Sequence, residues 1–355
     1  LLTTVSTWLA ALVIAQIGEN GKAQTNAADR ERKKAIKAQT RRRQRAAMLA
    51  ALLLNFGLLA ALKYTDDVRG WFGASPLGLL LPLGISFYTF QSMGYLLDVY
   101  NGKYAPQKNL ARFALFVSFF PQLIQGPIGR YDQLEKQLES GGHVNVPRAF
   151  LLMLWGLFKK MVVADRALAA VCAVFDAPGG TWGGAMAVVG VLAYSVQQYC
   201  DFSGGIDITR GVARMFGIDM TLNFRRPLFS TSLTDYWRRW HITLGAWMRD
   251  YVFYPISLSR GFGKLSRWAR THIGGTAGKI FATSTATFIV YLIIGIWHGA
   301  NFRYIAFGLW NGILITASLL MERRFLSWKE KLHINDKSTG WRIFMTVRTF
   351  GLVFI

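Results

Sequence analysis

The sequence predicts an all-α, polytopic integral membrane protein. Seven uncharged runs cover 1–18, 46–62, 70–97, 113–129, 177–200, 280–302 and 304–321, and a helix needs ~20 apolar residues to cross the hydrocarbon core. Hydrophobic residues make up 52% of the 355 and charged residues only 17%, against about 25% charged in soluble chains. The third observation is charge placement. The net charge of +22 is gathered between the apolar runs, as expected of loops and connectors that remain in the cytoplasm. No alternating apolar–polar segments suggest a β-barrel. The expectation is one integral domain over 1–355 with about eight to ten membrane-embedded helices.

The run 1–18 carries no charged leader region or cleavage site, so it is predicted as a span and not a signal peptide. Residues 22–45 hold ten Lys or Arg against Asp29 and Glu31 and read as a basic, helical, cytoplasmic connector. They contain no aromatic residue and so lack a stacking platform for bases. Topology and contact with anionic lipids explain this charge better than nucleic acid. The runs 46–62, 70–97 and 113–129 follow as candidate spans. A weaker candidate, 148–171, is interrupted by Lys159, Lys160, Asp165 and Arg166. After the run 177–200, residues 210–270 carry eleven basic residues against Asp219, Asp235 and Asp250, again predicted cytoplasmic. Within them Leu233, Trp237, Trp240, Leu244, Trp247 and Tyr251 recur at helical spacing, and Ser232 with Asp235 resembles an N-terminal cap. Residues 233–251 are therefore predicted as one amphipathic helix. The runs 280–302 and 304–321 complete the set. Another apolar segment begins near Ile343 and reaches Ile355. With apolar sequence at both ends and no initiator Met, the chain is expected to be part of a longer protein. The glycine pairs at 141–142, 179–180, 183–184, 204–205 and 274–275 are expected to mark loops and helix breaks.

Composition and motifs exclude several function classes. The chain is too apolar and aromatic for a disordered protein, and Cys172 and Cys200 cannot staple it as a disulfide scaffold. There is no GxSxG elbow, no Walker A or Rossmann glycine pattern, and no HExxH or CxxC zinc set. No metal ligand set is predicted. Among five histidines, His143, His272 and His333 read as loop or surface residues. His298 lies inside the uncharged run 280–302. Such a group is expensive in hydrocarbon and should face protein or a water-filled cavity. That rule favours a functional role over a bond to a neighbouring helix. His241 sits at the edge of the Trp stripe, where residue chemistry alone favours an interfacial anchor over catalysis. Asp98, Asp201 and Asp207 border apolar segments, where pairing with arginines of 210–239 is favoured over a catalytic role.

Taken together, seven strings resemble the membrane-bound O-acyltransferase superfamily, specifically its bacterial alginate O-acetyltransferase branch. They are Pro82–Gln91 (PLGISFYTFQ), Phe119–Ile128 (FFPQLIQGPI), Gln197–Gly204 (QQYCDFSG), Asn223–Pro227 (NFRRP), Tyr236–Leu244 (YWRRWHITL), Trp247–Tyr251 (WMRDY) and Gly295–Asn301 (GIWHGAN). They cover most of 80–312, the motif-bearing core, in the family's order, and family members extend further at both ends. The resemblance implies a ring of tilted transmembrane and re-entrant helices around a thinned centre, with funnels from both sides. It implies acyl transfer to a hydroxyl, with His298 as the principal catalytic residue and His241 as the second invariant histidine.

The residue types suit that chemistry. A neutral imidazole can take the proton of an attacking hydroxyl, and Asn301 or the Trp297 N–H could donate to the oxyanion. His241 could position the donor, donate to the oxyanion or orient His298. Arg225, Arg226, Arg238 and Arg239 are candidates for the phosphates of an anionic donor such as acetyl-CoA, with topology as the competing explanation. No bound cofactor is implied. The implied partners are membrane lipids, an acyl-CoA or acyl-carrier donor, a polysaccharide acceptor and an extracytoplasmic acetyltransferase, in a bacterial cell membrane. Two other readings stand beside acetyl transfer. One is D-alanyl transfer from a carrier protein to teichoic acid. The other is a membrane transporter or scaffold whose histidines are structural or relay protons.

Overall fold

A computed structural model describes residues 1–123 and 125–354. Ile124, in the second motif string, and Ile355, at the apolar chain end, lie outside the described residues. All regular structure among the described residues is helical. In chain order the helices are α1 (Leu2–Asn26), α2 (Arg30–Trp71), α3 (Ile85–Tyr100), α4 (Leu110–Ser118), α5 (Phe120–Leu123), α6 (Tyr131–Ser140), α7 (Val146–Leu157) and α8 (Asp165–Phe175). They continue with α9 (Gly184–Met215), α10 (Leu233–Arg239), α11 (Ile242–Met248), α12 (Tyr254–Ser257), α13 (Arg260–Ile273), α14 (Gly275–His298), α15 (Phe302–Lys331) and α16 (Thr339–Phe354). Four of them, α1, α2, α14 and α15, are long and apolar enough to cross a membrane, where the sequence suggested about eight to ten embedded helices. The run 70–97 is one reason for the difference. It is irregular from Ala74 to Pro82, where Pro76 and Pro82 cannot donate backbone hydrogen bonds. The run 113–129 likewise breaks at Phe119 into α4 and the single turn of α5.

The chain divides into two compact units, residues 1–154 with 207–221, and 155–206 with 222 onward. No composition shift marks this division, because both units are built from the same kind of apolar helix. In the first unit α1, α2 and α3 pack together. The basic stretch 22–45 is helical on both sides of a short break: α1 ends at Asn26, and from Arg30 the stretch forms the first part of α2. Ser6 and Asn55 hydrogen-bond between α1 and α2, and Gln91 donates to Gln122 Oε1 at 2.5 Å inside the core. Such interhelical polar pairs satisfy groups that lipid cannot. Asp98 pairs with Lys103 at 3.2 Å, and Asp207 with Arg210 at 3.6 Å.

The second unit is built around the α14–α15 hairpin, whose helices pack extensively on each other. They approach closely because Gly295 faces Gly308: a Cβ at Gly295 would lie 3.0 Å from Gly308 Cα. The interrupted segment 148–171 is helical throughout but opens into a π-turn at Phe158–Ala164. There Lys159 is buried and donates to Ser203 Oγ at 3.0 Å. Lys160 bridges Asp165 at 2.9 Å and Asp201 at 2.5 Å. Asp201 therefore pairs with a lysine of this turn and not with an arginine of 210–239, as does Asp98 with Lys103; only Asp207 follows the sequence expectation. The Gly204–Gly205 pair, expected to break a helix, lies inside α9. A Cβ at Gly204 would stand 2.8 Å from the Gly156 carbonyl oxygen, so the glycine serves close backbone approach.

Candidate active site

The predicted helix 233–251 does not form as one piece. Ser232 caps α10 as expected, its Oγ accepting from the Asp235 N–H at 3.1 Å. The helix stops at Arg239, and His241 adopts a left-handed backbone, φ 45° and ψ 52°, before α11 begins. A non-glycine residue rarely takes this conformation, at roughly 1–2 kcal/mol; where it persists, the surroundings hold it there. Here the holder is the segment 223–225. The Arg225 N–H donates to the Arg239 carbonyl at 2.9 Å, and the Ile242 N–H donates to the Asn223 carbonyl at 3.0 Å. Arg226, before Pro227, is itself left-handed at φ 48°. Two strained corners are thus locked against each other by backbone hydrogen bonds.

The Trp stripe also ends in a different place from its sequence reading. Leu233, Trp240, Leu244 and Trp247 are buried in protein, so the stripe fills the unit's interior and is no headgroup anchor. Trp240 stacks on Tyr236 with centroids 5.6 Å apart and meets Phe224 edge-on at 5.0 Å. His241 is 5% exposed and meets Phe202 edge-on at 4.9 Å. Burial pushes its imidazole below the ordinary histidine range, and the positive charge of a protonated His298 would push further in the same direction.

His298 ends α14, one residue before the loop that leads into α15. It is exposed, with Trp297, Tyr304 and Phe307 around it at centroid distances of 4.8, 6.1 and 5.8 Å. Both histidines line one cavity of about 680 Å³. Its walls are mainly apolar and aromatic, including Phe202, Trp237, Trp240, Tyr291 and Phe307. Trp297 lies near both imidazoles, with ring centroids 4.8 Å from His298 and 6.4 Å from His241, though it is not among the residues that line the cavity. The structure thus brings His241, from the YWRRWHITL string, to Trp297 and His298 of the GIWHGAN string.

Asn301 is placed otherwise. Its Oδ1 caps α15 by accepting from the Arg303 N–H at 3.1 Å, and it is not among the residues that line the cavity. The four arginines surround a second cleft of about 580 Å³ with Tyr199, Phe224 and Asp235. Arg239 is tied to Asp235 at 2.9 Å, and Arg238 lines both spaces. Among the described residues no cluster of His, Cys, Asp and Glu could hold a metal ion. His143 lies in a loop, His272 in the last turn of α13 and His333 after α15, all outside the cavity lining. Sequence reasoning missed Asn223, which is fully buried beneath the His241 corner. Its only signal was its place at the head of the NFRRP string.

Comparison with known proteins shows the family. The profile of the MBOAT, membrane-bound O-acyltransferase family, matches residues 105–331. The chain belongs to the membrane-bound O-acyltransferase family. The matched region contains both histidines. A Pseudomonas aeruginosa protein described as "probable alginate O-acetylase AlgI" is 37% identical over 282 residues, 75% of this chain and 50% of that protein. The peptidoglycan O-acetyltransferase of Helicobacter pylori is 30% identical over 86% of this chain and 61% of its own length. The teichoic acid D-alanyltransferase of Bacillus subtilis is 25% identical over 78% of this chain and 68% of its own. The chain spans about half the length of the alginate O-acetylase relatives it matches.

Proposed function

We propose that the protein moves an acetyl group from a cytosolic thioester donor, acetyl-CoA, to a hydroxyl of an exported or cell-surface polysaccharide, or to an extracytoplasmic partner that completes the transfer. The setting is a bacterial plasma membrane. The observation that carries the reading is the meeting of His298 and His241, from motifs far apart in sequence, on one apolar cavity. In the reaction His298 takes the proton of the attacking hydroxyl as its oxygen bonds to the thioester carbonyl carbon. The tetrahedral oxyanion then collapses, the carbon–sulfur bond breaks, and the departing thiolate takes the proton from the imidazolium. General-base assistance of this kind contributes about 10²–10⁴ in rate. The apolar lining keeps competing water from the thioester. The arginine cleft that shares Arg238 with the cavity suits the phosphates of the donor.

The test is transfer of label from radiolabelled acetyl-CoA by purified protein in nanodiscs, with membrane extract supplying the acceptor. His298→Ala is expected to insert and fold normally and to lose transfer. Retained turnover in that variant would remove His298 as the base. The D-alanyl reading draws on the Bacillus subtilis relative; label from a D-alanyl carrier protein, with none from acetyl-CoA, would select it. Dependence of activity on a proton gradient in sealed vesicles would instead select a transporter.

A further inference from the structure

His241 has two ring nitrogens, and its neighbours decide which one carries the proton. Its Nδ1 lies 3.3 Å from Asn223 Oδ1. In principle the amide of Asn223 could be turned the other way, with its nitrogen facing the histidine. Thr243 forbids this. Its backbone N–H, which can only donate, points at the same Oδ1 at 3.0 Å, and its hydroxyl donates to that atom at 2.9 Å. An NH₂ group in that position would set donor against donor. The atom facing His241 is therefore an oxygen, which can only accept, and Nδ1 must carry the hydrogen. The left-handed corner and the two backbone hydrogen bonds to 223–225 keep this geometry in place.

We propose that Asn223 is a positioning residue that holds His241 as its Nδ1–H tautomer, leaving Nε2 as a hydrogen-bond acceptor in the site. A neutral His241 so held cannot donate to an oxyanion. It instead accepts the hydrogen bond of an O–H or N–H group that enters the cavity. The kinetic consequences rest on the proposed acyl transfer; the tautomer does not. The arrangement also says why an asparagine stands there. Aspartate would accept the same three hydrogen bonds, but its charge beside Nδ1 would favour the imidazolium, in which both nitrogens donate and the acceptor is lost. His298 is the titratable group that faces His241 across the cavity. The rings nearest to His241 are Phe202 and Trp297, neither of which ionises.

Asn223→Asp is the informative variant, since Asn223→Ala strips Thr243 and His241 of their partner and can fail by unfolding. Nitrogen-15 NMR of histidine-labelled protein in lipid reads the tautomer directly, with His241→Gln identifying the resonance. The wild type is expected to show Nδ1 protonated and Nε2 bare, and Asn223→Asp to gain the second proton at a higher pH than the wild type does. A wild-type His241 protonated at Nε2 would overturn the proposal, whatever the enzyme does. In the acetyl-CoA assay Asn223→Asp is expected to melt like the wild type and keep its donor KM. Its kcat should fall tenfold or more only about one pH unit below the raised His241 pKa, on the acid side of the profile. Raising the folded-state pKa of His241 extends the inactive imidazolium to higher pH, so the acidic limb should move up by about 1–3 pH units. A purely structural asparagine predicts an unmoved limb, and that result would refute the positioning role. Absence of transfer in the wild type with every donor would refute the proposed function while the NMR outcome stood.

Discussion

Alanine at Gly295 tests the geometry of the hairpin that carries His298. Gly295 is one turn before His298 on α14, and its added Cβ would lie 2.5 Å from the Tyr304 carbonyl oxygen and 3.0 Å from Gly308 Cα. Ordinary contact starts near 3.4 Å, so α15 must recede from α14 by up to about 0.9 Å. Both obstructing atoms belong to backbone, which cannot swing aside as a side chain can. Overpacking of this kind costs about 1–3 kcal/mol, and a displacement near 1 Å at a reacting group can cost ~10² in rate. In nanodiscs, Gly295→Ala is expected to melt several degrees lower than wild type and to lose about 10–100-fold in kcat. The matched control is Gly57→Ala on α2, where nothing lies within 4 Å of the added atom. There the same methyl only reduces backbone freedom, worth roughly 0.5–1 kcal/mol of added stability, and turnover should be unchanged. Wild-type melting and turnover in Gly295→Ala would refute the close glycine crossing as what sets the position of His298.

Two further outcomes follow from the site. Asn301→Ser keeps a side-chain oxygen able to cap α15, so transfer should persist if Asn301 is only a cap; a hundredfold loss of kcat in a normally folded variant would restore its candidacy as oxyanion donor. Arg238→Ala and Arg225→Ala should raise the KM for acetyl-CoA, with kcat held and the salt dependence of KM weakened. Unchanged KM in both would leave these arginines with topology alone.

Much of the fold was legible in the sequence because its cues are local. Uncharged runs located α1, the apolar half of α2, α14 and α15, and the Ser232–Asp235 spacing located the start of α10. The corner at His241 was not legible, since apolar spacing continues through it: Trp237, Trp240, Leu244 and Trp247 keep helical phase although the helix does not. What breaks it lies more than a dozen residues upstream, in the hydrogen bonds of 223–225, and periodicity carries no record of such a tertiary clamp. Gly204 and Gly205 misled for the opposite reason. A glycine pair reads as a turn in isolation, but inside α9 it serves the approach of another backbone. Pro76 and Pro82 did announce the irregular start of the 70–97 run, yet a count of apolar residues passes over them.

The two imidazoles of the cavity are supported in unlike ways, and the difference argues for a division of labour in the proposed reaction. His241 is buried, clamped at a strained corner and hydrogen-bonded through Nδ1 to an amide that cannot change protonation state. A group fixed in this manner is suited to orienting a reactant and poorly suited to carrying a proton away. His298 is exposed at the end of a helix, flanked by aromatic rings and followed by Gly299, with access to whatever enters. The base that must receive a proton and later return it to the thiolate is therefore better placed at His298. On this division His241→Gln, which keeps a side-chain acceptor, should retain more activity than His241→Ala. His298→Gln, which has no basic nitrogen, should be as inactive as His298→Ala. Equal loss in the two His241 variants, or substantial turnover in His298→Gln, would show that the roles are not divided in this way.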